Sequence, residues 1–223
     1  MGSELRRKVT RTAWIASMLV AVLLSAGNPR ALFGAPSVTD VCTNTLPSFA
    51  DRAKVILSKL DTPPGDDGLK LKGRCIPFQE VPTVDPLTNG MRLVMQDNLG
   101  NVPLDVLIPG GAYDPATKAG WKMHAFPTGV TAQYKNAGTI VPLIDGIKKM
   151  KFVLRSGQGI TKFAAIGKAG SYPVGPGGDP VKVTLVANPD ATPTTQCCEM
   201  LFVGPSPAPA CTFLDGGATL RCE

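Results

Sequence analysis

Side chains that could do chemistry are few in this sequence, and its six cysteines are the most informative of them. No C-x-x-C pair occurs, and His124 is the single histidine. Because zinc sites are built from clustered cysteine and histidine ligands, we expect no metal site from them. An even cysteine count in an exported chain instead indicates disulfides. The candidates are Cys42, Cys75, Cys197, Cys198, Cys211 and Cys222.

The adjacent residues Cys197 and Cys198 cannot bond to each other without severe ring strain. In a strand their side chains point to opposite faces, so we expect them to reach different partners. Six cysteines allow 15 pairings. Cys42 and Cys75 either take up the vicinal pair or bond to each other, and the sequence leaves both alternatives open.

The last two cysteines flank a predicted hairpin. If Gly216-Gly217 forms a two-residue turn, Asp215 faces Ala218 and Cys211 faces Cys222. This register predicts a Cys211–Cys222 bridge at a hydrogen-bonded pair, where the strands are about 5.5 Å apart.

Catalytic constellations are not evident. His124 follows Trp121 closely on a predicted strand, and these two residues are the candidate ligand-binding residues. A lone histidine without a G-x-S-x-G elbow does not indicate a triad, and the acids mostly occupy turn contexts. We predict no catalytic residues and an interior position for Trp121. A sugar platform would instead need Trp121 exposed.

Calcium is the one cofactor that the sequence leaves open. Asp97, Asn98 and Asn101 share one predicted loop and offer the oxygen ligands that calcium prefers. No D-x-D-x-D-G pattern accompanies them, so our expectation is that the protein holds no cofactor.

The beginning of the chain has the pattern of a secretory signal peptide. Basic residues between Arg6 and Arg11 precede the apolar run Ala13–Leu24, which is shorter than the ~20 residues of a membrane span. We predict that residues 1–27 are the signal, with cleavage between about residues 26 and 36. An uncleaved anchor is the alternative. After cleavage we expect no membrane span and a secreted, periplasmic or extracellular-surface location.

Charge is best counted on the mature chain. The signal holds four of the 23 basic and one of the 17 acidic residues, which leaves 19 and 16 and a net charge of +3. The basic excess is concentrated at Lys148-Lys149, Lys151 and Arg155 on one predicted strand. A solvated sheet face explains it, and a site for an anionic glycan or lipid surface is the alternative. We expect no nucleic-acid binding, because basic and aromatic residues do not interleave.

The chain contains 45 glycine and proline residues. They divide the part after the predicted signal into short segments in which apolar and polar residues alternate. The segment at 48–60 fits a strand or a short amphipathic helix equally well. The other predicted strands are Gly68–Cys75, Met91–Gln96, Val102–Ile108, Gly120–Ala125, Thr131–Lys135, Ile147–Arg155, Ile160–Lys168, Val181–Ala187 and Glu199–Val203.

Some ten short strands predict an all-β fold, an antiparallel β-sandwich, with a β-barrel as the alternative. We place a linker at 28–50, the sandwich domain at 51–187 and a Pro-rich, Cys-rich tail, stapled by disulfides, at 188–223.

Four segments carry a resemblance: Val106–Pro115, Gly120–Lys122, Tyr134–Gly138 and Ile147–Met150. Together they resemble a module of uncharacterised exported proteins of environmental bacteria, over roughly residues 50–203. The resemblance implies an extracellular or periplasmic β-rich module and carries no activity and no site residues.

Two function classes follow. We expect a secreted, non-enzymatic β-sandwich at the bacterial surface, acting as a structural, adhesive or ligand-binding module whose partner is a cell-surface glycan or protein. The alternative is a secreted hydrolase or carbohydrate-active protein whose site is built from loops. The two differ in whether Trp121, His124 and a carboxylate share a concave pocket.

Overall fold

Short β-strands form nearly all of the regular structure, as the division of the sequence by glycine and proline predicts. The computed structural model describes residues 48–75, 84–156, 159–189, 197–203 and 209–223, all within the unit Ala35–Glu223. The predicted signal peptide and Cys42 lie outside the described residues. The strands are β1 Ser48–Ser58, β2 Asp67–Cys75, β3 Met91–Gln96, β4 Leu104–Ile108, β5 Ala119–Phe126, β6 Gly129–Asn136, β7 Ile147–Arg155, β8 Gly159–Gly170, β9 Lys182–Ala187, β10 Cys197–Leu201, β11 Cys211–Leu214 and β12 Thr219–Cys222.

Two sheets are built from these strands. Sheet one has the order β4-β3-β9-β10 and ends on the first residues of β1, where Ser48 pairs in parallel with Cys198. Sheet two has the order β11-β12-β1-β2-β8-β7-β6-β5 and is antiparallel throughout. The strand β1 therefore belongs to both sheets. Its register shifts between Asp51 and Lys54, and Arg52 has a φ of 51° there, which is a bulge that lets the strand turn from one sheet into the other.

The inner faces of the two sheets enclose the core. In β7, Met150, Phe152 and Leu154 are buried while Lys151 is exposed, which confirms the predicted alternation. In β3, Val94 departs from a simple alternation of buried and exposed residues, since it lies on the outer face and is 1% exposed. The predicted antiparallel β-sandwich is confirmed, and the described strands do not close into the alternative barrel.

Strand boundaries agree with the prediction where the alternation is strongest. The segment at 48–60, which fitted a helix or a strand equally, forms β1. The strand β10 begins at Cys197 and not at Glu199, because cross-strand pairing with β9 extends to Val186 opposite Cys197. Helix is confined to the single turn α1 at Pro86–Asn89 and to a 3₁₀ turn at Asp215–Gly217, within the described residues.

Cross-links join the end of the chain to the sandwich. Cys75 bonds to Cys198, and Cys211 bonds to Cys222. The prediction of the Cys211–Cys222 bridge is confirmed. Of the two alternatives left open for Cys75, the structure shows a bond to a member of the vicinal pair. Cys197 is disulfide-bonded as well. These bonds indicate an oxidising compartment.

The terminal hairpin differs from the prediction in its turn. Strands β11 and β12 are joined by the four residues Asp215–Ala218 and not by a two-residue Gly-Gly turn. Ala210 and Glu223 exchange both backbone hydrogen bonds, so Cys211 and Cys222, one position inward, are a non-hydrogen-bonded pair. Their Cα atoms are 3.9 Å apart. The predicted residue pairing is therefore correct, and the predicted hydrogen-bonded site is wrong.

The residues after 187, predicted to be a stapled tail, contribute to both sheets. The strand β10 lies between β9 and β1 in sheet one, and β12 pairs with β1 in sheet two. The disulfides of this region therefore connect strands that already pack in the sandwich.

Tyr172 fastens the segment after β8 to the loop before β7. Its backbone N–H donates to the Asp67 carboxylate at 2.6 Å, and its hydroxyl donates to the carbonyl of Asp145 at 3.0 Å. Burial raises the pKa of the Tyr172 phenol. The ring lies so close to Gly167 and Gly170 that a Cβ there would come within 2.3 Å of it.

Candidate functional site

Trp121, one of the two predicted ligand-binding residues, lies in the core. Its side chain is 2% exposed, and its indole N–H donates to the carbonyl of Pro109 at 2.8 Å. The ring packs against Tyr134 and Phe152, with centroid separations of 5.4 and 5.9 Å. Because the ring of Trp121 packs against other aromatic rings and its N–H is hydrogen-bonded inside the protein, it offers no platform for a sugar ring.

His124 lies three residues further along β5, on the opposite face of the sheet, and is exposed. It pairs in register with Thr131 of β6. The structure therefore separates the two candidates: Trp121 faces the core and His124 faces solvent.

The loop considered for calcium is held together by its own hydrogen bonds. The Asp97 carboxylate accepts from the backbone N–H groups of Leu99 and Asn101 at 2.9 and 2.7 Å, and from the Asn101 side-chain amide at 2.8 Å. The N–H of Asn98 donates to the carbonyl of Gly178. This geometry does not favour the calcium site that the sequence left open, since N–H donors occupy the carboxylate. Among the described residues no group of three His, Cys, Asp or Glu side chains lies together as a metal site would require.

An open groove lies beside this loop, between Asp97, Pro180, Lys182 and Val203. Its one cation, Lys182, faces Glu199 at 3.9 Å. Lys182 and Asp97 are thus already directed toward other protein atoms.

The outer face of sheet two carries the most distinctive chemistry of the molecule. Each of five consecutive strands, β2, β8, β7, β6 and β5, has one or more basic residues that point away from the core. We call these nine side chains the basic face. They are Lys70, Lys72 and Arg74 of β2, Lys162 of β8, Lys149, Lys151 and Arg155 of β7, Lys135 of β6 and Lys122 of β5. All are exposed except Lys149, which is half-buried.

Strand pairing places these cations in register. Lys135 stands directly opposite Lys149 on the neighbouring strand, and Lys151 lies opposite Gln133 and Ala164. Like charges on directly opposed positions destabilise a sheet by roughly 0.2–1 kcal/mol. The fold therefore carries a cost that a merely solvated face would avoid by alternating the sign of its charges.

No carboxylate neutralises the basic face among the described side chains. None of the nine residues takes part in an ion pair within that part of the chain. Lys122 lies over the ring of Tyr113, 3.8 Å from its centroid, which is a cation–π contact that leaves the charge in place.

Glu223 marks the border of this face. Its carboxylate binds both Lys54 of β1 and Arg221 of β12. The hydrogen bond from Lys54, with a further one from Arg221, holds the pKa of the Glu223 carboxyl below its usual value. The basic face therefore begins one strand further in, at β2, where the backbone register places Arg74 opposite Asp51 of β1.

The outer face of sheet one is balanced, in contrast. Arg92 donates two hydrogen bonds to Asp105, at 2.7 and 2.6 Å, and this pairing raises the pKa of Arg92. Lys182 faces Glu199. One sheet thus neutralises its outer charges and the other accumulates charge of one sign.

Sequence reasoning found only part of the basic face. The basic excess at Lys149, Lys151 and Arg155 was recognised on the strand that became β7. The alternation of Lys70, Lys72 and Arg74 carries the same signal within a single strand. The lysines of β2 and β7 come to lie on one face only through the strand order β2-β8-β7, which cannot be predicted from the sequence.

No family model, curated protein or solved structure matches this chain. The resemblance to a module of exported bacterial proteins therefore stays a prediction. Among the described residues, none of the helices has the length and apolar character that a membrane crossing needs.

Proposed function

We propose that this protein is a secreted, non-enzymatic β-sandwich that adheres to an anionic polysaccharide at the bacterial surface through the basic face of sheet two. The observation that carries the proposal is the group of nine cations on one sheet face with no counter-charge among the described side chains. Such single-sign surfaces attract anionic partners and concentrate them at the protein.

The strength of the interaction comes from number. A single exposed ion pair contributes about 0–1 kcal/mol because water screens it and two flexible side chains must be ordered. When several cations contact the same polymer, their contributions to the binding free energy add. An anionic group that dissociates from one lysine can bind to a neighbouring one. Binding of this kind is expected to weaken strongly with salt, since the screening length falls from about 10 Å at 0.1 M to about 3 Å at 1 M.

The chemistry of the face favours a charged glycan over other partners. Its aromatic neighbour, Tyr113, is covered by Lys122, and Trp121 is buried, so recognition of a neutral sugar by ring stacking has no support. The apolar residues on the face, such as Ile166 at 38% exposed, are flanked by lysines and do not protrude as a membrane-inserting wedge would. An anionic lipid surface is therefore the competing partner and not the preferred one.

The setting supports the same proposal. The disulfides fit an oxidising compartment, and the basic and apolar pattern of residues 1–27 fits export. An exported protein meets cell-surface polysaccharides, many of which carry carboxylate, sulfate or phosphate groups.

The test compares two variants that lose the same charge from different places. Lys72→Gln/Lys151→Gln removes two cations of the basic face, and the control Lys59→Gln/Lys182→Gln removes two cations that pair with Asp66 and Glu199 elsewhere. Affinity is measured by calorimetry for alginate, a linear polyuronate, with dextran as the neutral polymer. At about 1 kcal/mol per cation near an anionic surface, we expect the first variant to bind alginate about thirtyfold more weakly. The control should keep its affinity.

Three outcomes would overturn the proposal. They are equal losses in the two variants, which would indicate adsorption by net charge alone; equal binding of dextran; and binding to vesicles of anionic lipid without binding to alginate or to a sulfated polysaccharide such as heparin.

A further inference from the structure

The centre of the basic face is not uniformly basic. The strand β8 lies between β2 and β7 and presents the short or apolar residues Ala164 and Ile166 outward. Across β8, Ala164 is flanked by Lys72 and Lys151. At this position an uncharged side chain thus lies between two long cationic ones.

The adjacent position along β8 repeats this arrangement. Ile166 is flanked by Lys70 of β2 and Lys149 of β7. Neighbouring strands lie about 4.8 Å apart, so the two lysine rows are about 10 Å apart across β8. Successive outward positions on one strand are about 6.6 Å apart, because two residues separate them.

These dimensions describe a shallow trough that runs along β8, with a floor of Ala164 and Ile166 and lysine walls on both sides. Lys162 lies at one end of the floor, in register with Val153 of β7. The trough is wide enough for one extended chain and too narrow for two lying side by side.

We propose that a single linear polyanionic polysaccharide chain lies lengthwise in this trough, parallel to β8. This inference rests on the proposed function and makes it specific. The apolar faces of successive sugar rings rest on Ala164 and Ile166, and the acidic groups on either edge of the chain meet the lysines of β2 and β7.

The direction along β8 is favoured by the placement of the cations. A chain that crossed the strands through Lys72 and Lys151 would pass Ala164 and then Gln133 before it reached Lys122, so it would meet a cation only on alternate strands. A chain along β8 meets cations on both sides at two successive outward positions, Ala164 and Ile166.

The first test separates the walls of the trough from the remainder of the basic face. Lys72→Gln/Lys151→Gln removes one cation from each wall, and Lys122→Gln/Lys135→Gln removes two cations from β5 and β6 with the same change in net charge. With alginate as the probe, we expect the wall variant to bind about thirtyfold more weakly, as above. The other variant should lose less than about threefold, because Lys122 and Lys135 lie outside the trough and do not flank its floor.

The second test fills the floor without changing charge. Ala164→Leu places a larger side chain in the trough, whereas the control Gln133→Leu places the same side chain on β6, at a position that is also half-buried. We expect Ala164→Leu to weaken alginate binding by about fivefold and Gln133→Leu to change it by less than about twofold, since a rigid obstacle in the contact misplaces the chain. Circular dichroism and melting temperature confirm that both variants fold.

The outcomes distinguish this inference from the proposed function. Equal losses in the two double variants, with no effect of Ala164→Leu, would overturn the trough while the basic face remained the binding surface. Unchanged alginate affinity in both double variants would overturn the proposed function and the trough together.

Discussion

Phe152 and Lys151 are neighbours on β7, yet the sandwich gives them opposite roles. Phe152 is 1% exposed and packs against Trp121, while Lys151 is exposed on the basic face. Stability and binding therefore reside on alternate residues of the same strand. A substitution at one should leave the property of the other intact.

This separation predicts two different results from truncation to alanine. Phe152→Ala should lower the free energy of unfolding by about 3–5 kcal/mol, because it removes a large ring from a close-packed core. Lys151→Ala should stay within about 0.5 kcal/mol, as for other surface positions. Urea unfolding followed by tryptophan fluorescence measures both. Similar losses in the two variants would show that the register of β7 is wrong.

Single residues also show where prediction from sequence succeeds. The alternation in β7 predicts the burial of Phe152 because it is a local property of one strand. Alternation within β3 does not predict the burial of Val94, which lies on the outer face of sheet one and is 1% exposed. The basic face was recognised at Lys151 but not at Lys72, because these two lysines are brought to either side of β8 only by long-range pairing.

At the scale of elements, β1 and the vicinal cysteines hold the two sheets together. The strand β1 begins beside β10 in sheet one and continues between β12 and β2 in sheet two. The Cys75–Cys198 bond joins the end of β2 to β10 and so crosses from one sheet to the other. The Cys211–Cys222 bond lies within one hairpin of sheet two. The sequence predicted the second bond from a local turn, whereas the first depends on how the sheets pack.

These two bonds should differ in their contribution to stability. The Cys211–Cys222 bond closes a loop with a sequence separation of 11, and the Cys75–Cys198 bond closes one of 123. Chain entropy gives about 3 kcal/mol for the short loop and about 5 kcal/mol as an upper value for the long one. We therefore expect the Cys75–Cys198 bond to contribute more to the free energy of unfolding than the Cys211–Cys222 bond.

The comparison uses Cys75→Ala/Cys198→Ala and Cys211→Ala/Cys222→Ala, each measured by urea unfolding of protein from an oxidising compartment. We expect the first pair of substitutions to cost more than the second. The reverse order would show that the terminal hairpin, and not the link between the sheets, limits the stability of the fold.

At the scale of the whole molecule, charge is divided between two faces. Ion pairs neutralise the outer face of sheet one, as between Arg92 and Asp105. In sheet two, Lys54 and Arg221 bind Glu223, whereas the nine cations of the basic face form no ion pair among the described side chains. We expect a molecule with this division to turn the basic face toward an anionic surface, because the cations of that face attract anionic partners. The net charge of the chain does not express this asymmetry, which arises from strand order.

The division predicts oriented binding that lysine reactivity can detect. With the protein bound to size-fractionated heparin, acetylation of Lys70, Lys72, Lys149 and Lys151 should slow by about tenfold, because bound anionic groups cover these amines. Lys59 and Lys182 should react at the rate of the free protein, and this rate is the internal control. Peptide mass spectrometry after a short pulse of reagent measures every lysine in the same sample. Slowing of Lys59 and Lys182 to the same extent would show that heparin surrounds the molecule without preference for a face, and would contradict the oriented arrangement.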